Sequence, residues 1–262
     1  MTALDRDRHA AGPIRAIYDS VVFLTRLPAP AWRDPGERSL AASMWAFPLG
    51  GVLVAIVADV VYALCAELVF DPLVSALIAI GAGIIASGGL HEDGLSDYAD
   101  GIWGGHDPAD RLAIMSDSRI GTFGAVALIL SIGLRAAALA AIGQPLLVLG
   151  ALVAAAAVSR AMMPAVMAFL DPAKQTGLGA TAGTPGFRVW TGGVLLAAVI
   201  AIFAAPAGWL SCLVAAAAGA AITAWYAQRK LGGYTGDVLG AVQQVAEVFA
   251  LALIAAAVTE PG

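Results

Sequence analysis

The sequence predicts an all-α, polytopic integral membrane protein with about seven transmembrane helices and one acidic interfacial helix on the cytoplasmic side. Composition is the first ground: 60% of the 262 residues are hydrophobic and 13% are charged, against about 25% charged in an ordinary soluble domain. Pattern is the second, because the apolar residues gather in runs of about the length a bilayer core requires, separated by proline- and glycine-rich breaks. Charge distribution is the third. All but two of the fourteen lysines and arginines fall in the amino-terminal arm or in the connections after the even-numbered spans, and the positive-inside rule makes that side cytoplasmic. The net charge of -5 therefore says little about partners, since sign matters loop by loop.

The chain reads as a single catalytic membrane domain, 1–262, preceded by no evident signal peptide: the first twenty residues mix acids with arginines and hold no apolar stretch followed by a small-residue cleavage site. Residues 1–38 form a polar, arginine-rich arm with Arg6, Arg8, Arg15, Arg26, Arg33 and Arg38. Within it VVFLTRLPAP is apolar but too short to span, and it is expected to break at Pro28 and Pro30. The first span runs from about Leu40 to Phe70, with Pro48 expected to kink it or to split off a short lead-in helix. After a turn at Asp71-Pro72, a second span continues to about Leu90. The third, about Gly121 to Ile142, and the fourth, from Pro145 to about Leu170, flank a turn at 143–145. A glycine-rich polar loop follows at 171–188. The remaining spans cover about Val189 to Ala205, about Trp209 to Gln228, and a last run ending near Val258. Cys65 and Cys212 lie in apolar runs with no second ligand nearby and read as small packing residues.

Between the second and third spans lies the stretch from Gly88 to Gly124, which holds seven of the nineteen acidic residues and two of the three histidines. In HEDGLSDYADG, Asp93, Asp97 and Asp100 are separated by four and then three residues, which places them on one strip of a helix, with Leu95, Tyr98 and Ile102 opposite. Gly94 and Gly101 edge that strip, where a phosphate or a second helix can come close. Three anions about 5 Å apart repel by roughly 3 kcal/mol per pair at an effective dielectric near 20, so a cation is expected among them. Hard oxygen ligands without a dense histidine or cysteine set suit Mg²⁺, or Mn²⁺, and Mg²⁺ completes its shell with water and substrate phosphates. Phosphoryl or phosphodiester transfer follows as the expected chemistry, against the plain alternative of a solvated amphipathic helix.

Other polar residues supply supporting candidates. Asp117, Ser118 and Arg119 precede the third span, whose free N–H groups can hold a phosphate oxygen, and Arg119 can clamp the same phosphate or serve as an interfacial anchor. Intramembrane Arg135 and Arg160 are costly unless paired or facing a polar cavity, so each is a site candidate. Asp237 stands at a helix start, as cap or as site residue, and Gln243 lies four before Glu247. His91 and His106 are either acid–base groups or surface residues of a polar loop.

FLTRLPAP at 23–30, FPLGG at 47–51, HEDGLSDYADG at 91–101, DSRIGTFG at 117–124, SR at 159–160 and LGGYTGDVLGA at 231–241 occur in that order along nearly the whole chain. Together they resemble the cobalamin synthase family, the adenosylcobinamide-GDP ribazoletransferases. The resemblance implies a Mg²⁺-dependent enzyme of the cell inner membrane, active site and amino terminus cytoplasmic. It would join adenosylcobinamide-GDP to α-ribazole or its 5'-phosphate, giving adenosylcobalamin or its phosphate and releasing GMP. The implied partners are these substrates and membrane lipid, with no nucleic acid. By the same resemblance Asp93, Asp97 and Asp100 hold metal on the diphosphate, Glu92 and Asp117 are further ligands or the base, Arg119 and Arg160 neutralise charge, and Asp237 and His91 contact substrate.

Two rivals stand beside it. A CDP-alcohol phosphatidyltransferase also sets a helix of aspartates at the membrane surface, but its D-x2-D-G-x2-A-R run is missing: here the last aspartate and glycine lead into Ile102 and Trp103. A transporter would use Arg135, Arg160 and Glu67 along a substrate path, whereas the acids of this chain collect on one rim.

Overall fold

A computed structural model describes residues 12–30, 40–174 and 177–259; Arg6, Arg8, Arg33 and Arg38 of the arm lie outside these. Among the described residues the secondary structure is helical, apart from one isolated bridge between Pro172 and Tyr234. Among the described residues six helices are long and apolar enough to cross a membrane, or seven when the bent pair Pro72–Ser87 with Leu90–Gly104 is counted as one span.

Helix α1 (Pro13–Leu24) starts on a proline and stops at Thr25, before the prolines expected to break it. The cause is local: the Thr25 hydroxyl donates to the Val21 carbonyl and accepts from the Leu27 N–H, which draws the backbone into an extended conformation. A 3₁₀ segment, Leu40–Ala46, leads into α2 (Phe47–Glu67), with Pro48 in the first turn, where a missing N–H is harmless. Asp71 caps α3 (Pro72–Ser87) by accepting from the Leu73 N–H at 2.8 Å.

The second span ends earlier than the sequence suggests, at Ser87 rather than near Leu90. Gly88 and Gly89 both adopt left-handed backbone, φ 70° and 68°, a conformation that side-chain-bearing residues rarely take. Chain direction changes by 94° there, and α4 (Leu90–Gly104) turns away from the crossing. At 1.5 Å rise per residue, the 16 residues of α3 extend about 24 Å. Helices α5 (Pro108–Ile114), α6 (Thr122–Ile142), α7 (Pro145–Phe169), α8 (Leu178–Thr181), α9 (Phe187–Ala204), α10 (Trp209–Leu231) and α11 (Gly236–Thr259) complete the chain. The loop expected at 171–188 thus contains one short helix, and its first residues, bridged at Pro172 to Tyr234, sit with Gly179 beside the start of α11.

Helix α7 is the axis of the bundle and touches α2, α9, α10 and α11. Alanine is the commonest of its buried residues, with Gly150 and Ser159 beside it, and lipid gives no hydrophobic reason for helices to associate, so close packing of small residues has to hold them. Gly51 of α2 lies against the backbone of Ala156 and the side chain of Arg160. Gly51→Ala is expected to force α2 from α7 and lower stability by about 1–3 kcal/mol, read as a reduced melting temperature in detergent. Gly81→Ala, where a methyl meets nothing within 4 Å, should not.

Candidate active site

Helix α4 is built with two faces. Leu95, Tyr98 and Ile102 are buried, and the Tyr98 hydroxyl donates to the Thr223 carbonyl of α10 at 3.1 Å. Gly94 lies against Asp237 and Gly240 of α11, and Gly101 against Met115 and Arg111 beside α5. Both glycines thus admit a neighbouring chain segment rather than a ligand. On the other face Asp93 is exposed and Asp97 half-buried.

Asp100, the third acid of the strip, turns elsewhere. Its two carboxylate oxygens accept the N–H groups of Gly121 and Gly124 at 2.8 and 2.9 Å, capping the start of α6 from a different helix. A side chain at Gly121 or Gly124 would collide with that carboxylate, which accounts for two glycines three apart in RIGTFG.

Glu92 turns inward. It accepts from Arg135 of α6 at 3.3 Å and from Gln244 of α11 at 2.9 Å. Arg135 also donates to Glu247 at 3.2 Å, and Arg160 of α7 donates to the other oxygen of Glu247 at 3.2 Å. Gln243 donates to Glu247 and to Ser159, while Ser131 donates to Gln244. Two arginines and two glutamates, all buried, therefore balance their charges within the bundle. Arg160, a substrate-binding candidate in the sequence, is 3% exposed and committed to Glu247. Glu67, the acid a transporter would need, is exposed near the distal end of α2 and takes no part.

Two cavities meet at the first turn of α4. The polar one, about 540 Å³, is lined by Arg26, Glu92, Asp93, Ser96, Asp97 and Ser118 among others. The other, about 260 Å³, is mainly apolar and carries His91, Asp93, Lys174, Thr235 and Asp237. Leu90 and Asp93 line both. Arg26 lies over the Gly88 bend, its N–H donating to the Ala86 carbonyl at 2.7 Å, and puts a cation in the polar cavity. Lys174 is held by the Leu112 carbonyl at 3.2 Å and the Ser116 hydroxyl at 2.7 Å. Thr235, not Asp237, caps α11: its hydroxyl accepts from the Val238 N–H and donates to the Asp237 carboxylate. The Asp97 carboxyl is pushed up to about 7, first by loss of water and then by the charges of Asp93, Asp237 and Asp100, with Lys174 opposing.

Asp117 and Arg119 stand apart from this group. They pair with each other at 2.6 Å in open solvent, Arg119 being 86% exposed, and that pairing holds the Asp117 carboxyl below its ordinary range. His106 is also exposed. Among the described residues no three of His, Cys, Asp and Glu converge into a closed metal cage. The donors that do face the polar cavity, Asp93 and Asp97, are hard carboxylates that repel each other, a set suited to an ion that takes few protein ligands and keeps positions for water and phosphate.

Residues 16–255 match the family described as Cobalamin-5-phosphate synthase. The chain belongs to that family. Relatives named adenosylcobinamide-GDP ribazoletransferase include those of Bradyrhizobium diazoefficiens, 42% identical over 90% of each chain, and of Rhizobium etli, 44% identical over 91% of this chain and 95% of the relative. That of Rhizobium meliloti is 44% identical over 94% of this chain and 99% of its own. No solved structure matches the chain.

In this synthase-family fold, Asp93, Asp97, Asp237 and His91 come together at the two cavities, while Asp100, Glu92 and Arg160 serve contacts between helices and Asp117 with Arg119 lies outside. Sequence reasoning treated Arg26 and Lys174 only as basic residues of one side. Their signal was present in the motif around Arg26 and in the single lysine of the 171–188 loop, but only folding sets them beside the aspartates.

Arg135→Met should leave Glu92 and half of Glu247 unpaired and cost about 3–5 kcal/mol, seen as a large fall in melting temperature, whereas Arg119→Met leaves melting unchanged. A second outcome concerns pH. Between the ordinary aspartate value, about 3.9, and about 7, Asp97 binds more proton when folded than unfolded. Its contribution to stability is therefore present in acid and lost as pH rises through about 7. In metal-free detergent the melting temperature of Asp97→Asn should fall less between pH 5 and pH 8 than that of the wild type; equal slopes would exclude Asp97 as the source.

Proposed function

We propose that the chain is an adenosylcobinamide-GDP ribazoletransferase, joining adenosylcobinamide-GDP to α-ribazole or its 5'-phosphate with release of GMP. The observation that carries this reading is the pair of facing carboxylates, Asp93 and Asp97, in a polar cavity that also holds Arg26, in a member of this family. A diphosphate needs both signs: cationic groups for its oxygens and carboxylates to share a divalent ion with it.

Asp93 and Asp97 would hold Mg²⁺, or Mn²⁺, together with the diphosphate. When bound, that ion supplies charge neutralisation on the phosphates. Arg26 reaches the same cavity from the amino-terminal arm and binds phosphate oxygens. Lys174, fixed by the Leu112 carbonyl and the Ser116 hydroxyl, faces Asp93 and Asp237 from the opposite bank. In the transfer, a ribose hydroxyl oxygen of the acceptor bonds to the phosphorus attached to cobinamide, the bond from that phosphorus to the bridging oxygen breaks, and GMP departs with that oxygen. The hydroxyl proton passes to a carboxylate. Asp237 is the acceptor best placed, because it lines the cavity beside Asp93 without facing the polar cavity. Asp100 and Glu92 position α4, and Asp117 with Arg119 marks the outer edge.

The side of the membrane follows from charge. Among the described residues, helix directions bring 12–30, 88–121, 170–174, 177–186 and 232–235 to one end of the bundle, the end that carries Arg15, Arg26, Arg111, Arg119 and Lys174. The positive-inside rule supports a cytoplasmic placement of that end, and we propose that the protein resides in the cell inner membrane.

The test is GMP release from adenosylcobinamide-GDP and α-ribazole by oriented vesicles. Inverted vesicles should release GMP and right-side-out vesicles should not. Chelation should stop release and Mg²⁺ restore it. Asp93→Ala and Asp97→Ala should each reduce release at least a hundredfold with melting largely kept, whereas Asp100→Asn should lower both together. Undiminished release by Asp97→Ala would sink the assignment of the site.

A further inference from the structure

The mainly apolar cavity is not explained by a diphosphate. We infer that it seats the bicyclic aromatic base of the acceptor nucleoside, with the ribose emerging at Asp93; this rests on the transferase reading above. Its walls include Phe23, Phe47, Met44, Met163, Met167 and Leu239. Phe23 and Phe47 stack with ring centroids 5.7 Å apart and planes 14° from parallel. Thioether sulfur and aromatic faces suit a flat, weakly polar ring.

Size and polarity choose between the ring systems the reaction brings. About 260 Å³ admits one small bicycle with part of its sugar and excludes a corrinoid. Guanine carries a carbonyl, a ring N–H and an amino group along one edge, and burying that edge against phenylalanine and methionine leaves polar groups unpaired at a cost. A dimethylbenzimidazole carries one free ring nitrogen and two methyl groups. One polar contact is on offer for that nitrogen: His91 is fully buried at the cavity wall, and neither of its ring nitrogens has a hydrogen-bond partner.

Placement links the cavity to the chemistry. Asp93 and Leu90 line both cavities, so a base in the apolar one delivers its sugar to the first turn of α4, where the diphosphate in the polar one begins. The two substrates then approach from opposite sides of one helical turn.

The test uses the full-length protein in detergent, with direct binding of α-ribazole followed by the fluorescence of its base, and KM values for both substrates. Ala182→Phe fills the cavity and should raise the KM for α-ribazole at least tenfold while that for adenosylcobinamide-GDP stays within twofold. A benzimidazole riboside without the two methyl groups should bind the wild type about tenfold more weakly, the transfer value of two buried methyls. Met167→Ala, which opens the wall, should shrink that preference. A shift confined to adenosylcobinamide-GDP would make the cavity a guanine site and overturn the inference. Unchanged KM values for both substrates, or equal binding of the two ribosides, would overturn it as well. If Ala182→Phe does not fold, the riboside comparison on wild type and Met167→Ala decides. Failure of the wild type to release GMP while it still binds α-ribazole would defeat the transferase reading and leave the cavity assignment standing.

Discussion

Four buried charges constrain this fold more than any apolar contact does. Glu92, Arg135, Glu247 and Arg160 come from four different helices and neutralise one another in a bundle otherwise packed with alanine. Each charge alone would be costly at that depth. Together they leave few ways for α4, α6, α7 and α11 to associate, because a shift of one helix past another strands an ion. Packing of small residues brings the helices close but is permissive in register; the network supplies the register.

From that register follows the division of labour among the acids of the 88–124 stretch. Sequence neighbours on α4 do different things: Glu92 points into the bundle, Asp93 into both cavities, Asp97 into the polar one, and Asp100 onto the start of α6. A helix lying across the ends of a bundle has several environments around its circumference. Composition groups these residues, and geometry separates them.

Much of this was legible in the sequence for a physical reason. Spans follow from hydrocarbon thickness, and their breaks from proline and glycine, so the order of the spans was readable, but not the bend at Gly88 and Gly89 or the short helices at 108–114 and 178–181. The strip of Asp93 and Asp97 was readable from helical spacing. Asp100 was not, because the N–H groups it accepts lie 21 and 24 residues along and nothing local distinguishes a carboxylate facing a ligand from one facing a helix end. Arg135 and Arg160 were rightly conspicuous, yet their partner Glu247 is 112 and 87 residues away, beyond any spacing rule. Gln243 and Gln244 serve as donors to Glu247 and Glu92, a role that an ionised acid could not fill.

Helix α4 is fastened to α6 at two points: Glu92 to Arg135 near its start, and Asp100 to the Gly121 and Gly124 amides near its end. Two anchors about two turns apart remove both sliding and rolling, so Asp93 and Asp97 behave as a fixed jaw, stationary with respect to the membrane-embedded frame. The cations face this jaw from the arm and from the connection after α7, and they are tied to the same frame, Arg26 by its backbone N–H to the Ala86 carbonyl and Lys174 by the Leu112 carbonyl and the Ser116 hydroxyl.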